Sequence, residues 1–392
     1  MSSVNRRNFL KTTGALSLPL LGTASPLWAE ATFKAPKPSP DPAIWFIGDG
    51  KMFEPGDYIR ELQEMHSAKP IERDRYGTGG VVEQLEKKFA EITGKEKAVF
   101  LPSGTMANQL AIAVLCGEHT KAIVQETSHV FRDEADAAQS VFGKRLVPLA
   151  PEKTGFTAEE LKQAVENLPN QEVFTGPVGA VSIENPVRRT NGRVVPIGEI
   201  KAISAYCRSM GIGLHLDGAR LYMASAWQGI PVKEYAGYFD TVYISLYKYL
   251  GASAGAILCG DSRVIGKIPH LIKIHGGSMF GNWTNAAMAL RRLEGLETRL
   301  QDARKRGDEI FAALNKLPGV NISPLDQGTN IYQAAFGNSV NGAAMQKKLR
   351  EEYNIRIGFP PGGQKTQLTV NETLLYQDAD YVINAFRMAI KG

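Results

Sequence analysis

Hydrophobic and polar positions follow two rhythms along the chain, one typical of helices and one typical of strands. Apolar residues recur at helical spacing over residues 81–92, and Gly94 follows, so the pattern predicts a helix that ends there. Thr157 and Glu160 have the spacing of a capping box at a helix N-terminus. Helices are predicted over residues 81–92, 106–115, 157–168 and 200–210. Short apolar runs predict strands over residues 98–101, 122–124, 178–183, 212–216 and 241–245.

The alternation of strands and helices predicts an α/β fold with a mostly parallel central sheet. Four polar residues follow predicted strands, at the carboxyl ends where such sheets bind ligands: Ser103, Glu184, Asp217 and Lys248. A smaller C-terminal α/β domain is predicted from strands near residues 330–336, 355–358 and 367–370, with helices near residues 342–352 and from residue 378.

The chain divides into four predicted segments. Residues 1–31 are expected to be a signal peptide, and residues 32–75 an N-terminal linker and arm that begins with the proline-rich stretch 36–42. Residues 76–300 are expected to form a large ligand-binding domain, and residues 301–392 a small C-terminal domain.

The N-terminal segment has the three regions of a secretory signal in the right order. The pair Arg6-Arg7 precedes a short apolar run at residues 12–21, and Ala29-Glu30-Ala31 offers a small-residue cleavage site. The arginine pair resembles a twin-arginine export signal, although Asn5 stands where Ser or Thr is usual. The apolar run is too short to span a bilayer. We therefore expect a periplasmic protein without a membrane attachment after cleavage; a disordered basic tail is the alternative.

Charge and cysteine content exclude two classes of partner. The net charge is +5, and Arg6, Arg7 and Lys11 supply three of these charges, so the mature chain retains only about +2. This is too little to indicate a nucleic-acid partner. The three cysteines are far apart and lie among apolar residues, so the sequence predicts buried free thiols and no metal site.

Three separated segments together indicate a pyridoxal phosphate (PLP) site. The small-residue turn Ser103-Gly104-Thr105 opens a helix, where backbone N–H groups bind anions such as a phosphate. Asp217 ends a strand and can hold the pyridine nitrogen protonated, and Lys248 follows the next strand and can form the Schiff base. An apolar setting would lower the pKa of Lys248 and favour that bond.

Each of these residues also has a simpler structural interpretation. Lys248 would be an ordinary surface lysine, Asp217 a helix cap, and Ser103 an N-cap. Their joint occurrence in this order favours the cofactor site. Arg220 follows Asp217 closely and is a candidate for binding the cofactor oxygen or a substrate carboxylate.

Three further residues remain open on the pattern alone. His129 follows a strand and is a candidate to stack on the cofactor ring, although a lone histidine is more often structural. Glu134 is a candidate for supporting a cofactor-binding residue or for transferring a proton. His215 is interpreted as structural.

The motifs closely resemble the threonine aldolase and β-eliminating lyase family of fold-type I PLP enzymes. The resemblance covers about residues 76–300, with a weaker C-terminal match. It implies cleavage of L-threonine or a similar β-hydroxy amino acid to glycine and an aldehyde, in a homodimer or homotetramer with shared active sites. It assigns Lys248 to the Schiff base, Asp217 to the pyridine nitrogen, His129 to the stacking ring, Ser103, Gly104 and Thr105 to the phosphate, and Arg220 to the substrate carboxylate side. The matching segments are 85–86, 102–109, 128–129, 184–185, 215–221, 248 and 250–252.

The chain departs from the family pattern mainly on the substrate side. Val187 stands where the family has a histidine near the substrate hydroxyl, and Gln367 where it has a carboxylate-binding arginine. Gly48-Asp49-Gly50 replaces Ser-Asp-Thr. Other departures are Tyr247, Tyr249 and the segment 276–281. Because glutamine cannot replace the charge of arginine, we expect L-threonine to be a poor substrate.

Two other functions remain open from the sequence. One keeps PLP but carries out β-elimination, racemisation or transamination of another amino acid. The other is an exported, non-catalytic binding protein that retains the fold. The cofactor residues argue against the second.

Overall fold

The predicted strand ends belong to one central sheet. The computed structural model of the protein describes residues 42–338, 340–360 and 362–391. The predicted signal peptide and the first ten residues of the predicted arm lie outside the described residues. The strands are β1 (Ile44–Trp45), β2 (Lys97–Leu101), β3 (Lys121–Gln125), β4 (Arg145–Leu149), β5 (Val178–Glu184), β6 (Gly213–Asp217), β7 (Thr241–Ser245), β8 (Ala256–Gly260), β9 (Val320–Pro324), β10 (Ile331–Phe336), β11 (Ile355–Arg356) and β12 (Lys365–Thr369).

Helices cover the sheet and fill the C-terminal part. They are α1 (Pro55–Ala68), α2 (Gly80–Thr93), α3 (Gly104–Cys116), α4 (His129–Arg132), α5 (Ala137–Phe142), α6 (Ala158–Gln171), α7 (Ile197–Met210), α8 (Leu221–Gln228), α9 (Val232–Gly237), α10 (Ser262–Ile265), α11 (Ile268–Ile274), α12 (Trp283–Leu293), α13 (Leu296–Leu314), α14 (Gly342–Tyr353) and α15 (Ala379–Lys391). Two short 3₁₀ helices occupy Arg188–Thr190 and Glu372–Tyr376.

The central sheet has seven strands in the order β2-β8-β7-β6-β5-β3-β4. Strand β8 pairs antiparallel with both β2 and β7, and the other neighbours pair in parallel. Successive side chains of β7 pack into hydrophobic cores on opposite faces of the sheet. Tyr243 packs against α3, whereas Val242 and Ile244 pack into the core on the other face. Both faces are therefore buried, which explains the continuous apolar runs. The predicted fold class, α/β with a mostly parallel sheet, is confirmed.

Local signals in the sequence place several helix ends correctly. Thr157 and Glu160 form the predicted capping box of α6, with both hydrogen bonds present. Gly94 ends α2 and Gly211 ends α7, each in the left-handed region at φ 65° and φ 66°. Most ends of the observed helices and strands lie within three residues of the predicted ends.

The N-terminal and C-terminal segments are joined by a small parallel pairing. Ile44 pairs with Ile355, so β1 adds to β11. The predicted linker and arm thus contains a strand and the helix α1. A three-stranded antiparallel sheet, in the order β12-β10-β9, forms the centre of the C-terminal part.

The described residues from 42 onward form one compact unit. The predicted boundary at residue 300 falls inside α13, and the domain limits stay a prediction. Among the described residues, no helix is both long enough and apolar enough to cross a membrane.

Candidate active site

The register of three neighbouring strands aligns three polar side chains. Glu184 on β5 lies level with Asp217 on β6, and Asp217 lies level with Tyr243 on β7. All three line a cavity of about 300 Å³ at the carboxyl ends of the strands. All seven predicted site residues line it as well: Ser103, Gly104, Thr105, His129, Asp217, Arg220 and Lys248. The structure therefore brings the complete predicted set together; their individual roles stay predictions.

The N-terminus of α3 forms one end of this cavity. The Ser103 side chain accepts a hydrogen bond from the Met106 backbone N–H at 3.2 Å, so Ser103 caps the helix and its own O–H proton remains available. Gly104 is held against Tyr243: a Cβ added there would lie 2.6 Å from Tyr243 Cζ and would collide with the hydroxyl. Glycine is thus required for the close approach of helix and strand, and the exposed helix N–H groups suit an anion.

Asn108 links two carboxylates at the centre of the site. Its Nδ2 donates to Asp217 Oδ2 at 2.9 Å and to Glu134 Oε1 at 2.8 Å. The other Asp217 oxygen accepts from the Ala219 backbone N–H at 3.1 Å. Asp217 is only 2% exposed, so these bonds offset its desolvation.

His215 fixes the orientation of that amide. Because Asn108 Nδ2 donates twice, Asn108 Oδ1 is the acceptor, and His215 Nε2 donates to it at 3.0 Å. His215 Nδ1 then accepts from the Thr241 hydroxyl at 2.8 Å. Burial lowers the pKa of His215 to about 4, so the ring is neutral at pH 7. The interpretation of His215 as a structural residue agrees with these contacts.

His129 is held beside the cavity by Glu134. His129 Nδ1 and Glu134 Oε1 are 2.9 Å apart, and this hydrogen bond raises the pKa of His129. Glu134 Oε2 is buried without a hydrogen-bond partner in the part of the chain that is described. His129, Glu134 and Asp217 place one potential metal-ligand atom each within 4.8 Å of one another, but Asn108 already engages both carboxylates.

Glu184 fixes two segments that border the site. One of its oxygens accepts from the His129 backbone N–H at 2.7 Å, and the other from the Arg188 backbone N–H at 2.9 Å. Burial, followed by the nearby charge of Asp217, raises the pKa of Glu184. This role, like that of Asn108, was not predicted from the sequence. Asn108 lies four residues after Gly104, on the same helix face, and within the segment 102–109 that matches the family; these two signals could have revealed it.

The Lys248 amine faces the cavity without a hydrogen bond or ion pair to any described residue. Burial, followed by the positive charge of Arg220, lowers its pKa to about 8. Its Nζ lies 5.3 Å from the centre of the Tyr247 ring. A lysine in this setting is neutral far more often at pH 7 than a solvated one, which agrees with the expectation from its apolar surroundings.

A second cavity of about 550 Å³ continues from the first and shares His129, Arg220, Tyr247, Lys248 and Ser253 with it. Its wall includes the segment from Gly48 to Phe53, together with Tyr58 and Arg188. We call it the outer cavity.

In the outer cavity Arg220 forms a bidentate ion pair with Asp49. Arg220 Nε lies 2.6 Å from Asp49 Oδ1, and Nη2 lies 2.9 Å from Oδ2. The predicted match of Gly48-Asp49-Gly50 to the substrate side thus agrees in position.

Two other departures do not lie where the sequence comparison suggested. Val187 is fully buried and lines neither cavity, since its backbone bonds to Arg193 and Gly192 turn the chain inward. Gln367 lies on an exposed face of β12, opposite Gln333, along a different groove that meets the outer cavity only at Gly48. Within one chain, neither Val187 nor Gln367 therefore lines the cavities that contain Lys248.

The chemistry of the donors fits PLP. The helix N-terminus suits its phosphate, the buried carboxylate of Asp217 suits its ring nitrogen, and the low-pKa amine of Lys248 suits its aldehyde carbon. His129 lies at the same cavity with its Nδ1 already held by Glu134.

Comparison with known proteins agrees with this site. The sequence profile described as "Beta-eliminating lyase" matches residues 59–336. The chain is 32% identical over 277 residues to the low-specificity L-threonine aldolase of Candida albicans, covering 70% of this chain and 73% of that one. It is 29% identical over 302 residues to the low-specificity L-threonine aldolase of Escherichia coli K12, covering 77% and 88%.

Solved structures show the same fold. A Listeria monocytogenes protein assigned as an L-allo-threonine aldolase superposes with a TM-score of 0.74 at 26% identity, covering 90% of this chain and 96% of that chain. A serine palmitoyltransferase of Sphingomonas wittichii, at 17% identity and a TM-score of 0.62, covers 88% and 86% and shares the fold. On the extent of the profile match and the identity to its relatives, the chain belongs to the β-eliminating lyase family.

Proposed function

We propose that the protein is a PLP-dependent lyase that cleaves a β-hydroxy amino acid of the L-threonine type to glycine and an aldehyde. One observation carries this proposal: the seven predicted site residues surround a single cavity whose lysine has a lowered pKa. The L-threonine aldolase names of the relatives at 26–33% identity support the choice of reaction.

The chemistry divides between the cofactor and the chain. Bound PLP withdraws electrons from the substrate carbon whose bond breaks. Lys248 supplies the amine that holds the cofactor. Asp217 keeps a proton on the ring nitrogen, and Asn108 holds that carboxylate in place. His129, fixed through Nδ1, leaves its other ring nitrogen free for ring contact or for a proton of the substrate.

Covalent labelling and product analysis test this proposal. Borohydride reduction of the PLP-loaded protein, followed by peptide mapping, should place the label on Lys248. A panel of amino acids should then yield glycine and an aldehyde from β-hydroxy substrates. Label on another lysine would contradict the assignment of Lys248. A keto acid or a racemised amino acid as the main product would show that the protein catalyses one of the alternative reactions and not aldol cleavage.

We further propose that the substrate carboxylate is bound by Arg188. Arg188 lines the outer cavity, whereas its neighbour Arg189 lines neither cavity and bonds to Asp133 through Nε at 3.0 Å. Arg188 Nη1 forms only a long contact with Asp133 Oδ2, at 3.5 Å, so its guanidinium is less engaged than that of Arg189. Because Arg220 is paired with Asp49, Arg188 is the less neutralised arginine at this cavity.

Paired variants test the carboxylate site. Arg188→Met should raise KM for L-threonine by about ten- to a hundredfold, since a charged hydrogen bond is lost, and Arg189→Met should not. Gln367→Arg should not improve cleavage, because Gln367 lies outside both cavities. Efficient wild-type cleavage of L-threonine and L-allo-threonine would contradict the expectation, made from Gln367, that L-threonine is a poor substrate, and it would favour Arg188 as the carboxylate site.

We also propose self-association into a homodimer or homotetramer. An exposed apolar cluster supports it: Tyr76 and Phe280 contact each other at 5.4 Å between ring centres, and they are 56% and 61% exposed. Ile274 and Met279 are also exposed on nearby segments. Analytical ultracentrifugation of wild type and Phe280→Asp tests this, and a monomeric wild type would contradict it.

Export to the periplasm through the twin-arginine route is our proposal for location. The support is the order of charged, apolar and small-residue regions in residues 1–31. Changing Arg6 and Arg7 to Lys should keep the protein in the cytoplasm in a fractionation experiment. Unchanged periplasmic recovery would contradict the twin-arginine interpretation.

A further inference from the structure

Tyr243 is placed unusually for a residue in the middle of a buried strand. It is 2% exposed and packs in the core under α3, yet it also lines the cavity that contains Lys248. Its ring reaches the first turn of α3, because a Cβ on Gly104 would collide with the Tyr243 hydroxyl. The phenol oxygen therefore lies beside the backbone of the helix N-terminus.

Ser245 is the side chain that lies beside the Tyr243 hydroxyl. The Ser245 Oγ is itself buried and has no hydrogen bond of standard geometry to a described residue. Because Tyr243 also borders the cavity, its hydroxyl can donate to a further acceptor at this end of the cavity.

The charge state of Tyr243 suits hydrogen-bond donation. Burial, followed by the negative charge of Asp217, raises its pKa well above the ordinary value. Tyr243 therefore keeps its O–H proton throughout the physiological range and can donate to an anion. Close packing alone would be served equally well by phenylalanine, which has the same ring without the hydroxyl.

We propose that Tyr243 binds the phosphate group of the cofactor, donating its O–H to a phosphate oxygen next to the N-terminus of α3. This rests on the proposed PLP site. Ser103, with its O–H proton free, and the N–H groups of the first turn of α3 provide the other donors. Tyr243 is thus a cofactor-binding residue contributed by the strand that lies beside Asp217.

Comparing PLP with pyridoxal, which lacks the phosphate, isolates the hydroxyl. The dissociation constants of both compounds are measured by absorbance on the apoprotein of wild type and Tyr243→Phe. The variant should bind PLP about ten- to a hundredfold more weakly, since one hydrogen bond to a charged group is lost, and should bind pyridoxal as wild type does. Tyr222→Phe is the matched control: Tyr222 is a buried tyrosine whose hydroxyl has no hydrogen-bond partner among the described residues, and it lines neither cavity.

A competition experiment adds a second measurement. Inorganic phosphate should compete with pyridoxal phosphate for wild-type apoprotein more effectively than for Tyr243→Phe. Equal losses for PLP and pyridoxal, or no loss for either, would overturn the role of Tyr243 and leave the PLP site standing. Wild-type apoprotein that binds neither compound would overturn the proposed function, and this inference with it.

Discussion

Lys248 should bind the cofactor at a pH well below that required by an ordinary lysine. Only the neutral amine can attack the aldehyde carbon of PLP. With a pKa of about 8 in place of 10.5, roughly 10% of the amine is neutral at pH 7, against about 0.03% for a solvated lysine. The site thus gains about 300-fold in reactive amine at that pH.

Removing Arg220 separates the two causes of this shift. Burial is the larger cause and persists in Arg220→Leu, whereas the repulsion by the guanidinium is lost and Asp49 is left unpaired beside the amine. The pKa of Lys248 should therefore rise in the variant but stay below 10.5. Arg189→Leu is the control, because Arg189 is an arginine that lines neither cavity.

Rapid mixing of apoprotein with PLP measures the effect. The rate of the absorbance change, recorded from about pH 6 to 11 and corrected by the reaction of PLP with a free lysine derivative, should follow a curve with its midpoint near 8. The midpoint for Arg189→Leu should equal that of wild type, and the midpoint for Arg220→Leu should lie at a higher pH. A wild-type midpoint near 10.5, or identical midpoints in all three proteins, would refute the reasoning.

Three other outcomes are expected. Asp217→Asn should lower turnover by about a hundred- to a thousandfold with an unchanged circular dichroism spectrum, and a near-wild-type rate would mean that the ring nitrogen needs no carboxylate. Burial raises the pKa of Glu86 to about 7, so ionisation of Glu86 destabilises the fold increasingly between pH 4.5 and 7. Glu86→Gln retains an acceptor for the Phe100 N–H, so it should raise the Tm by roughly 2–4 °C at pH 8 but not at pH 4. An equal gain in Tm at both pH values would contradict this. Gly104→Ala should weaken PLP binding and lower the Tm because of its collision with Tyr243, whereas Gly198→Ala, with open space around it, should do neither.

The sequence predicted the elements whose signals are local. Strands β5 and β7 are continuous apolar runs because both sheet faces are buried, and glycines end α2 and α7 at positive φ. Strand β8 was missed: it is five residues long, begins just after Gly255 and ends at Gly260, and its place is set by antiparallel pairing with β2 and β7. Such pairing depends on distant residues and leaves little periodicity in the chain.

The same distinction holds for the site. Ser103, Asp217 and Lys248 were predictable because carboxyl ends of parallel strands converge at one edge. Tyr243 resembles an ordinary core residue in sequence, and only the three-dimensional structure shows its ring at the turn of α3.

On the substrate side, Asp49 comes from a distant segment, and only the fold shows that it pairs with Arg220. Val187 was expected beside the substrate, but a tight turn directs it inward. Backbone turns of this kind cannot be read from the residue types alone.

The pairing of β1 with β11 imposes an order on assembly during synthesis. The loop that carries Asp49 follows β1 directly, and β1 pairs with Ile355–Arg356, which is synthesised much later than β1. Asp49 therefore reaches its place beside Arg220 only after β11 has been made. A nascent chain without residues 355–356 would lack this wall of the outer cavity, so the site is completed late in synthesis.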